Sequence, residues 1–220
     1  MFSFFKGIWQ KNWKGKATLI GGTLVLITAI TGVIYGVATQ AGDVGFMVLD
    51  GHVLKWKTLP VLCSYDDSFP DEHMAHYDKA RTEINQRARR VLISMCIPWQ
   101  IDDKMPDHIG GSVTLHVQET NKDATFESPF TAHAGGVTKH KYDKRTGEIL
   151  SALVLIDPKL TNKQTEATWL HELCHVLGLD HDRTRDSIMF PTLQDRPTKL
   201  SDKDVKALVD AYGSQKDSAQ

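Results

Sequence analysis

The residues best suited to chemistry lie in one stretch, Thr168-Trp-Leu-His-Glu-Leu-Cys-His-Val-Leu-Gly-Leu-Asp-His-Asp182. His171 and His175 are four residues apart, so on a helix they project from one face and can hold one metal ion with their ring nitrogens. Gly178 follows, where a residue that tolerates positive φ lets the helix end and the chain turn back. That turn can bring His181 up as a third ligand. Three protein ligands and one open position suit a catalytic zinc, whereas a structural zinc has four.

Glu172 stands directly after the first of these histidines. A carboxylate at this position can accept a proton from a zinc-activated water and pass it to a leaving amine. We therefore interpret Glu172 as the general base, and then the general acid, of peptide-bond hydrolysis. One alternative stays open at this point. The chain could be a catalytically silent binding module of a membrane or envelope assembly, in which zinc only stabilises the fold.

The same stretch resembles the metzincin pattern His-Glu-x-x-His-x-x-Gly-x-x-His, whose fixed positions are matched by His171, Glu172, His175, Gly178 and His181. Metzincins also place a methionine turn beneath the metal, and Met189 matches that methionine. Phe190-Pro191 follows it, as in the matrixin branch. Asp182 after the third histidine is similar to the adamalysin branch, and the resemblance implies that it supports the methionine turn by accepting backbone hydrogen bonds.

The resemblance covers residues 56–213 and implies an α+β metzincin (zincin-like) catalytic domain. Such a domain has a twisted mixed β-sheet, an active-site helix and two further helices. The implied activity is that of a metalloendopeptidase with one catalytic zinc ion and protein or peptide substrates; calcium is possible but not indicated. By the same resemblance, substrate contacts come from an edge strand and from a pocket wall, namely Gly135, Gly136, Val137 and Thr138 on the strand and Pro191 and Leu193 on the wall.

Several elements must position these residues. Thr161 and Gln164 have the form of a capping box, which predicts that the zinc helix runs from about Asn162 to Leu177. Its predicted buried stripe is Ala167, Leu170, Leu173, Cys174 and Leu177. The periodicity of residues 71–93 predicts an amphipathic helix that includes Val91 on its apolar face. A closing helix is expected near 200–213, with Ser201 as N-cap. Strands are predicted at 59–65, 111–117, 134–142 and 148–157.

The amino terminus has a different character. Residues 1–16 contain four lysines and no acidic residue, and residues 17–39 contain no charged residue. As a helix, Ala17 to Ala38 would span about 33 Å, enough for the hydrocarbon core of a bilayer. We expect a cytoplasmic basic tail, a transmembrane anchor at 17–39 and an extracytoplasmic catalytic domain. A signal segment cleaved after Gly36-Val-Ala38, which gives a secreted protein, remains the alternative.

The rest of the chain is expected to hold a linker at 40–55 and a tail at 214–220. With a formal net charge of −1, the sequence gives no reason to expect a nucleic-acid partner. Cys63 and Cys96 flank the first predicted helix, and an extracytoplasmic location permits them to pair. The sequence does not give the distance between them, so a disulfide and two buried thiols both stay open.

Overall fold

The computed structural model describes residues 45–65, 69–99, 105–117 and 135–214. The predicted basic tail, the predicted anchor at 17–39 and most of the predicted carboxyl-terminal tail lie outside these ranges. Within them, none of the helices has both the length and the apolar content needed to cross a bilayer.

The described chain forms seven strands and three α-helices. In order they are β1 (Val48–Leu49), β2 (His52–Val53), β3 (Val61–Tyr65), α1 (Asp71–Ala88), β4 (Ile93–Pro98), β5 (Ser112–Val117), β6 (Gly136–Tyr142), β7 (Ile149–Ile156), α2 (Asn162–Val176) and α3 (Asp202–Tyr212). Five strands make one sheet in the order β4-β3-β5-β7-β6, in which only β6 runs antiparallel to its neighbour. This confirms the predicted mixed sheet with an active-site helix and two further helices.

The hydrophobic core lies between the sheet and the helices. β7 is a nearly continuous apolar run, and every side chain on it except that of Leu150 is buried. Helix α2 packs against β6 and β7 on one side and against α1 on the other. The predicted stripe of α2, from Ala167 to Leu177, is fully buried. Burial of each large aliphatic side chain contributes roughly 1.5–3 kcal/mol, so α2 is held in a fixed position in the domain.

Backbone carbonyls at the end of α2 are bound by two distant aromatic side chains. The indole N–H of Trp56 donates to the carbonyl of Val176 at 2.7 Å, and the hydroxyl of Tyr212 donates to that of Leu177 at 2.6 Å. The last carbonyls of a helix have no partner within the helix, and burial without one would cost free energy. Residues from both ends of the domain therefore fix the point at which the chain leaves α2.

The structure differs from the sequence predictions in three places. Residues 45–55 of the predicted linker contain the β1–β2 hairpin, which is bound to the domain through a hydrogen bond from Met47 N–H to Gly178 O at 2.8 Å. Helix α1 ends at Ala88 because Arg89 adopts a left-handed conformation with φ 53°, and Val91 is exposed. Strand β4 was not predicted, since its apolar residues do not alternate with polar ones.

Cys63 and Cys96 form a disulfide. They occupy paired positions on the adjacent strands β3 and β4, with their Cα atoms 4.4 Å apart. That separation lies in the range that a disulfide can bridge. Of the two possibilities left open by the sequence, the structure has the bonded one.

Candidate metal centre and active site

Three histidine side chains converge at the carboxyl-terminal end of α2. One ring nitrogen from each of His171, His175 and His181 lies within 4.8 Å of the other two. The Nε2 atoms of His175 and His181 are 3.2 Å apart. The structure thus brings together the three residues that the sequence singled out as metal ligands.

The turn after α2 depends on Gly178. This residue has φ 94°, and a Cβ atom there would lie 2.3 Å from the carbonyl oxygen of Leu54. Any other residue would be strained both by the backbone conformation and by that contact. The turn is closed by Gly178 N–H, which donates to the carbonyl of His175 at 2.7 Å. Glycine therefore allows the sharp reversal that carries His181 back to the helix.

Hydrogen bonds to backbone carbonyls set the tautomers of the two histidines on α2. Nδ1 of His171 lies 2.7 Å from the carbonyl oxygen of Ile188, and Nδ1 of His175 lies 2.7 Å from that of Leu179. A carbonyl can only accept, so each Nδ1 carries the proton and each Nε2 keeps a free lone pair. This is the arrangement by which outer partners orient metal-binding histidines.

Burial also keeps these imidazoles neutral. It lowers the pKa of His171 and of His175 well below the usual value, and the neighbouring histidines lower both further. The pKa of His181 is lowered by burial as well, against the opposing charge of Asp180. Metal ligation requires neutral imidazole. Three neutral rings with converging nitrogens fit the donor set of a zinc site that has three protein ligands.

Glu172 lies beside this cluster and is almost completely buried. Burial raises its pKa to about 7, while the charge of Arg196 and a hydrogen bond from Thr138 act in the opposite direction. The Thr138 hydroxyl donates to Glu172 Oε2 at 2.7 Å. The edge strand β6 therefore holds one oxygen of the Glu172 carboxylate. The pKa of this carboxyl suits a group that exchanges protons near neutral pH.

The close approach of β6 to α2 requires Gly136. A Cβ atom at this position would lie 2.7 Å from Thr168 Cγ2 and 2.8 Å from Glu172 Cγ. Such distances are well below van der Waals contact, so a side chain here would push the strand away from the helix. Gly136, predicted to bind substrate, thus packs against the helix and brings Thr138 within reach of Glu172.

Met189 lies in a buried turn that contacts His171, the first candidate ligand. Phe190 N–H donates to Ser187 O at 3.1 Å, which closes the turn, and Met189 itself is fully buried. The carbonyl of Ile188 in this turn accepts the hydrogen bond from His171. The turn therefore supports the orientation of a candidate ligand, as expected for the methionine turn.

Asp182 contacts this turn through its backbone and not through its carboxylate. Its N–H donates to Met189 O at 3.0 Å. Its carboxylate accepts from the N–H and the hydroxyl of Thr184. The side chain thus orders the segment between His181 and the turn, which differs from the predicted acceptance of hydrogen bonds from the turn itself.

The remaining residues predicted to contact substrate lie on the edge strand and on the loop after the methionine turn. Leu193 reaches the edge strand, where its Cδ2 would be 3.0 Å from a Cβ atom at Gly135. Pro191 is exposed, and Val137 is half-buried on β6. Thr138 differs from them, because its hydroxyl donates to Glu172 and so contacts the candidate base directly.

Sequence reasoning missed two residues next to the site. Asp204 on α3 is fully buried and accepts from Ser187 Oγ at 2.6 Å and from Ile188 N–H at 3.0 Å. Its place three residues after Ser201 matches the capping-box pattern, which could have drawn attention to it. Arg196 lies in the loop that follows the methionine turn and is buried. No local sequence pattern predicts that an arginine in a loop will be buried.

The comparison with protein families gives a match to the Matrixin model, peptidase family M10, over residues 71–213. The chain is also similar to Metalloendoproteinase 5-MMP of Arabidopsis thaliana, with 36% identity over 58 residues. That alignment covers 26% of this chain and 16% of the Arabidopsis protein. The family match includes more than half of the chain and all of the histidine cluster. The chain therefore belongs to the matrixin family of metallopeptidases.

Proposed function

We propose that this chain is a zinc-dependent metalloendopeptidase that hydrolyses peptide bonds in protein or peptide substrates. The observation that supports this most strongly is the convergence of three neutral imidazoles beside a buried carboxylate. In this proposal His171, His175 and His181 hold one zinc ion. Zinc bound there would supply Lewis acidity, which polarises a peptide carbonyl and makes water more acidic.

Glu172 is the proton carrier in this proposal. Its Oε2 is occupied by the Thr138 hydroxyl, so Oε1 is the atom that accepts a proton from the attacking water. The same oxygen then delivers the proton to the nitrogen of the leaving amine. A pKa of about 7 means that neither transfer is strongly uphill at neutral pH.

The test is the Glu172→Gln variant of the full chain, assayed on casein and on quenched fluorescent peptides with and without a chelator. We expect kcat/KM to fall roughly 10²- to 10⁴-fold, the usual contribution of general acid–base catalysis. Bound zinc, measured by atomic absorption, should be unchanged. The matched control is Glu166→Gln, because Glu166 lies on the same helix and pairs with Lys79 on α1.

Two outcomes would contradict the proposal. If Glu172→Gln kept full turnover with zinc bound, the assigned proton carrier would be wrong. If the wild-type chain bound zinc tightly but cleaved no peptide, the alternative of a silent, zinc-stabilised binding module would be favoured.

We also propose that residues 17–39 anchor the protein as a single span, with the amino terminus in the cytoplasm and residues 56–213 outside it. The sequence supports this, since the uncharged segment is preceded by lysines. Recovery of the full chain in the membrane fraction after an alkaline wash is the expected result. A mature protein that begins after Ala38 in the soluble fraction would show a cleaved signal instead.

A further inference from the structure

Two buried polar atoms beside Glu172 have no hydrogen-bond partner. They are Nη1 of Arg196 and Oγ1 of Thr168. Arg196 is 8% exposed and Thr168 is 0% exposed. A buried donor without a partner costs roughly 1–3 kcal/mol, and a charged one costs more. Such a group in a folded domain calls for an explanation, and a ligand that supplies the missing partner is one.

The guanidinium of Arg196 is fixed in place by the loop that follows the methionine turn. Its Nε–H donates to Phe190 O at 3.1 Å, and its Nη2–H donates to Pro191 O at 3.2 Å. The same loop carries Leu193, which contacts the edge strand at Gly135. The loop therefore packs beside the start of β6, and Nη1 is the guanidinium nitrogen that these hydrogen bonds do not use.

Arg196 is also a buried cation that forms no ion pair with a described residue. Among the described residues, no carboxylate oxygen lies within 4.0 Å of it, and the nearby Arg185–Asp195 pair does not involve it. Burial lowers its pKa to about 10, and the charge of Glu172 opposes this, so Arg196 stays positive at neutral pH. A buried charge is strongly disfavoured unless it is paired. The chemical group best suited to complete this site is an anion.

Thr168 supplies a second donor on the helix side. It lies one turn before Glu172 on α2, and its methyl group packs against Gly136. The methyl contact leaves the hydroxyl as the polar group that a ligand could bind. A hydroxyl and a guanidinium together can donate to both oxygens of a carboxylate.

We propose that Arg196 and Thr168 form a carboxylate-binding subsite beside Glu172, which selects substrates that carry Asp or Glu next to the cleaved bond. The proposal rests on the peptidase function proposed above. Thr168 and Glu172 both pack against Gly136, where a Cβ atom would lie 2.7 Å from Thr168 Cγ2 and 2.8 Å from Glu172 Cγ. Because Glu172 delivers protons at the scissile bond in the proposed function, the selected side chain is adjacent to that bond. An uncharged isostere such as Gln would leave the positive charge unpaired, which is how polar sites reject close analogues.

The experiment compares matched peptides that differ only in Glu or Gln, or in Asp or Asn, at the positions flanking the cut. For the wild-type full chain we expect kcat/KM for the acidic peptide to exceed that for its amide partner by about tenfold or more. Arg196→Met should reduce this ratio to about one. A purely structural role for Arg196 would lower both values alike and leave the ratio unchanged, which would overturn the proposal.

Two further variants sharpen the test. Thr168→Val removes no existing hydrogen bond, so it probes the subsite without disturbing the loop, and we expect a severalfold lower ratio. Arg185→Met is the matched control, because Arg185 is an exposed arginine in the preceding segment. Its ratio should equal that of the wild type. A ratio near one in the wild type, or a ratio unaffected by Thr168→Val and Arg196→Met, would show that no such subsite exists.

A binding measurement separates this proposal from the proposed function. In the Glu172→Gln background, fluorescence anisotropy should show that the zinc-loaded chain binds the acidic peptide more tightly than the amide peptide. If wild-type protein cleaves neither peptide but this preference is present, the subsite stands and the peptidase function fails. If cleavage occurs without any acidic preference in rate or binding, the function stands and the subsite fails.

Discussion

The two sides of the candidate active site differ in how completely their polar groups are paired. On the ligand side, the Nδ1 atoms of His171 and His175 bind backbone carbonyls, and Asp204 binds the turn below them. The other side consists of the loop that carries Arg196 together with Thr168 of α2, and we call it the loop side. There the Nη1 atom of Arg196 and the hydroxyl of Thr168 have no hydrogen-bond partner. His171 and Asp204 on the first side are as deeply buried as Thr168 and Arg196 on the second, so exposure does not explain the difference between these groups.

This contrast separates two uses of buried polar groups. Paired groups fix the geometry of side chains that must not move, because each satisfied bond resists reorientation. Unpaired groups carry a cost in the free protein that a ligand with the right charge can offset. In the proposed function and subsite, the ligand side would hold the catalytic groups in place and the loop side would recognise the substrate.

Asp204→Ala should be the most damaging change on the ligand side. It removes an acceptor shared by Ser187, Ile188 and Ser201, and leaves buried donors without partners. We expect the free energy of unfolding to fall by about 3–5 kcal/mol, measured by urea denaturation. Asp202→Ala is the control, because Asp202 lies in the same first helical turn with an exposed side chain. A similar loss in both variants would mean that the loss of a negative charge from the first turn of α3 explains the effect.

Removal of zinc should have the second-largest effect on the stability of the protein. An ion that binds only the folded chain stabilises it by about 2.7 kcal/mol when its free concentration is 100 times the Kd. We expect chelation to lower the unfolding midpoint of the wild type and to leave His181→Ala almost unaffected. His52→Ala, at an exposed histidine in the β1–β2 hairpin, should respond like the wild type. An equal response in His181→Ala would remove that residue from the ligand set.

Thr138→Val should affect catalysis and not stability. Loss of the hydroxyl frees Glu172 Oε2, so the carboxylate is held less well for proton transfer. Loss of such outer partners typically reduces activity 10- to 100-fold, and we expect this in kcat with little change in KM. Thr138→Ser should restore most of the rate because it keeps the donor. Failure of serine to restore the rate, or a change confined to KM, would assign Thr138 to substrate binding.

The sequence predicted the ligand side well because its geometry is local. The spacing of His171 and His175 follows from the helix period, and Gly178 and His181 follow His175 at intervals of three residues. The capping box is also local, and Gln164 does accept from Thr161 N–H at 3.0 Å. These features need no knowledge of the tertiary fold.

The loop side was missed because its properties are not local. Whether Arg196 is buried depends on how the loop packs, and whether its Nη1 finds a partner depends on every neighbouring element. The contact of Asp204 with the methionine turn joins residues 16 and 17 positions apart, and no period or motif encodes it. Strand β4 was not predicted for a related reason. It is defined by its pairing with β3, and its own sequence pattern does not indicate a strand.

Thr168→Val should change stability least. It is also the most direct comparison of an unpaired buried polar group with a paired one. The valine is nearly isosteric and removes a buried hydroxyl that has no partner, so we expect unfolding free energy to stay the same or rise by about 1 kcal/mol. Thr165→Val is the matched control on the same helix, since its hydroxyl donates to Thr161 O at 3.0 Å. That variant should lose about 1 kcal/mol.

The change in unfolding free energy caused by Thr168→Val, compared with the change caused by Thr165→Val, shows whether the Thr168 hydroxyl is paired in the free protein. If Thr168→Val is at least as stable as the wild type while the acidic preference falls, the hydroxyl is retained for recognition at a cost to stability. If Thr168→Val is destabilised as much as Thr165→Val, the hydroxyl is paired within the free protein. Thr168 would then not belong to the loop side, and the contrast between the loop side and the ligand side would depend on Arg196 alone.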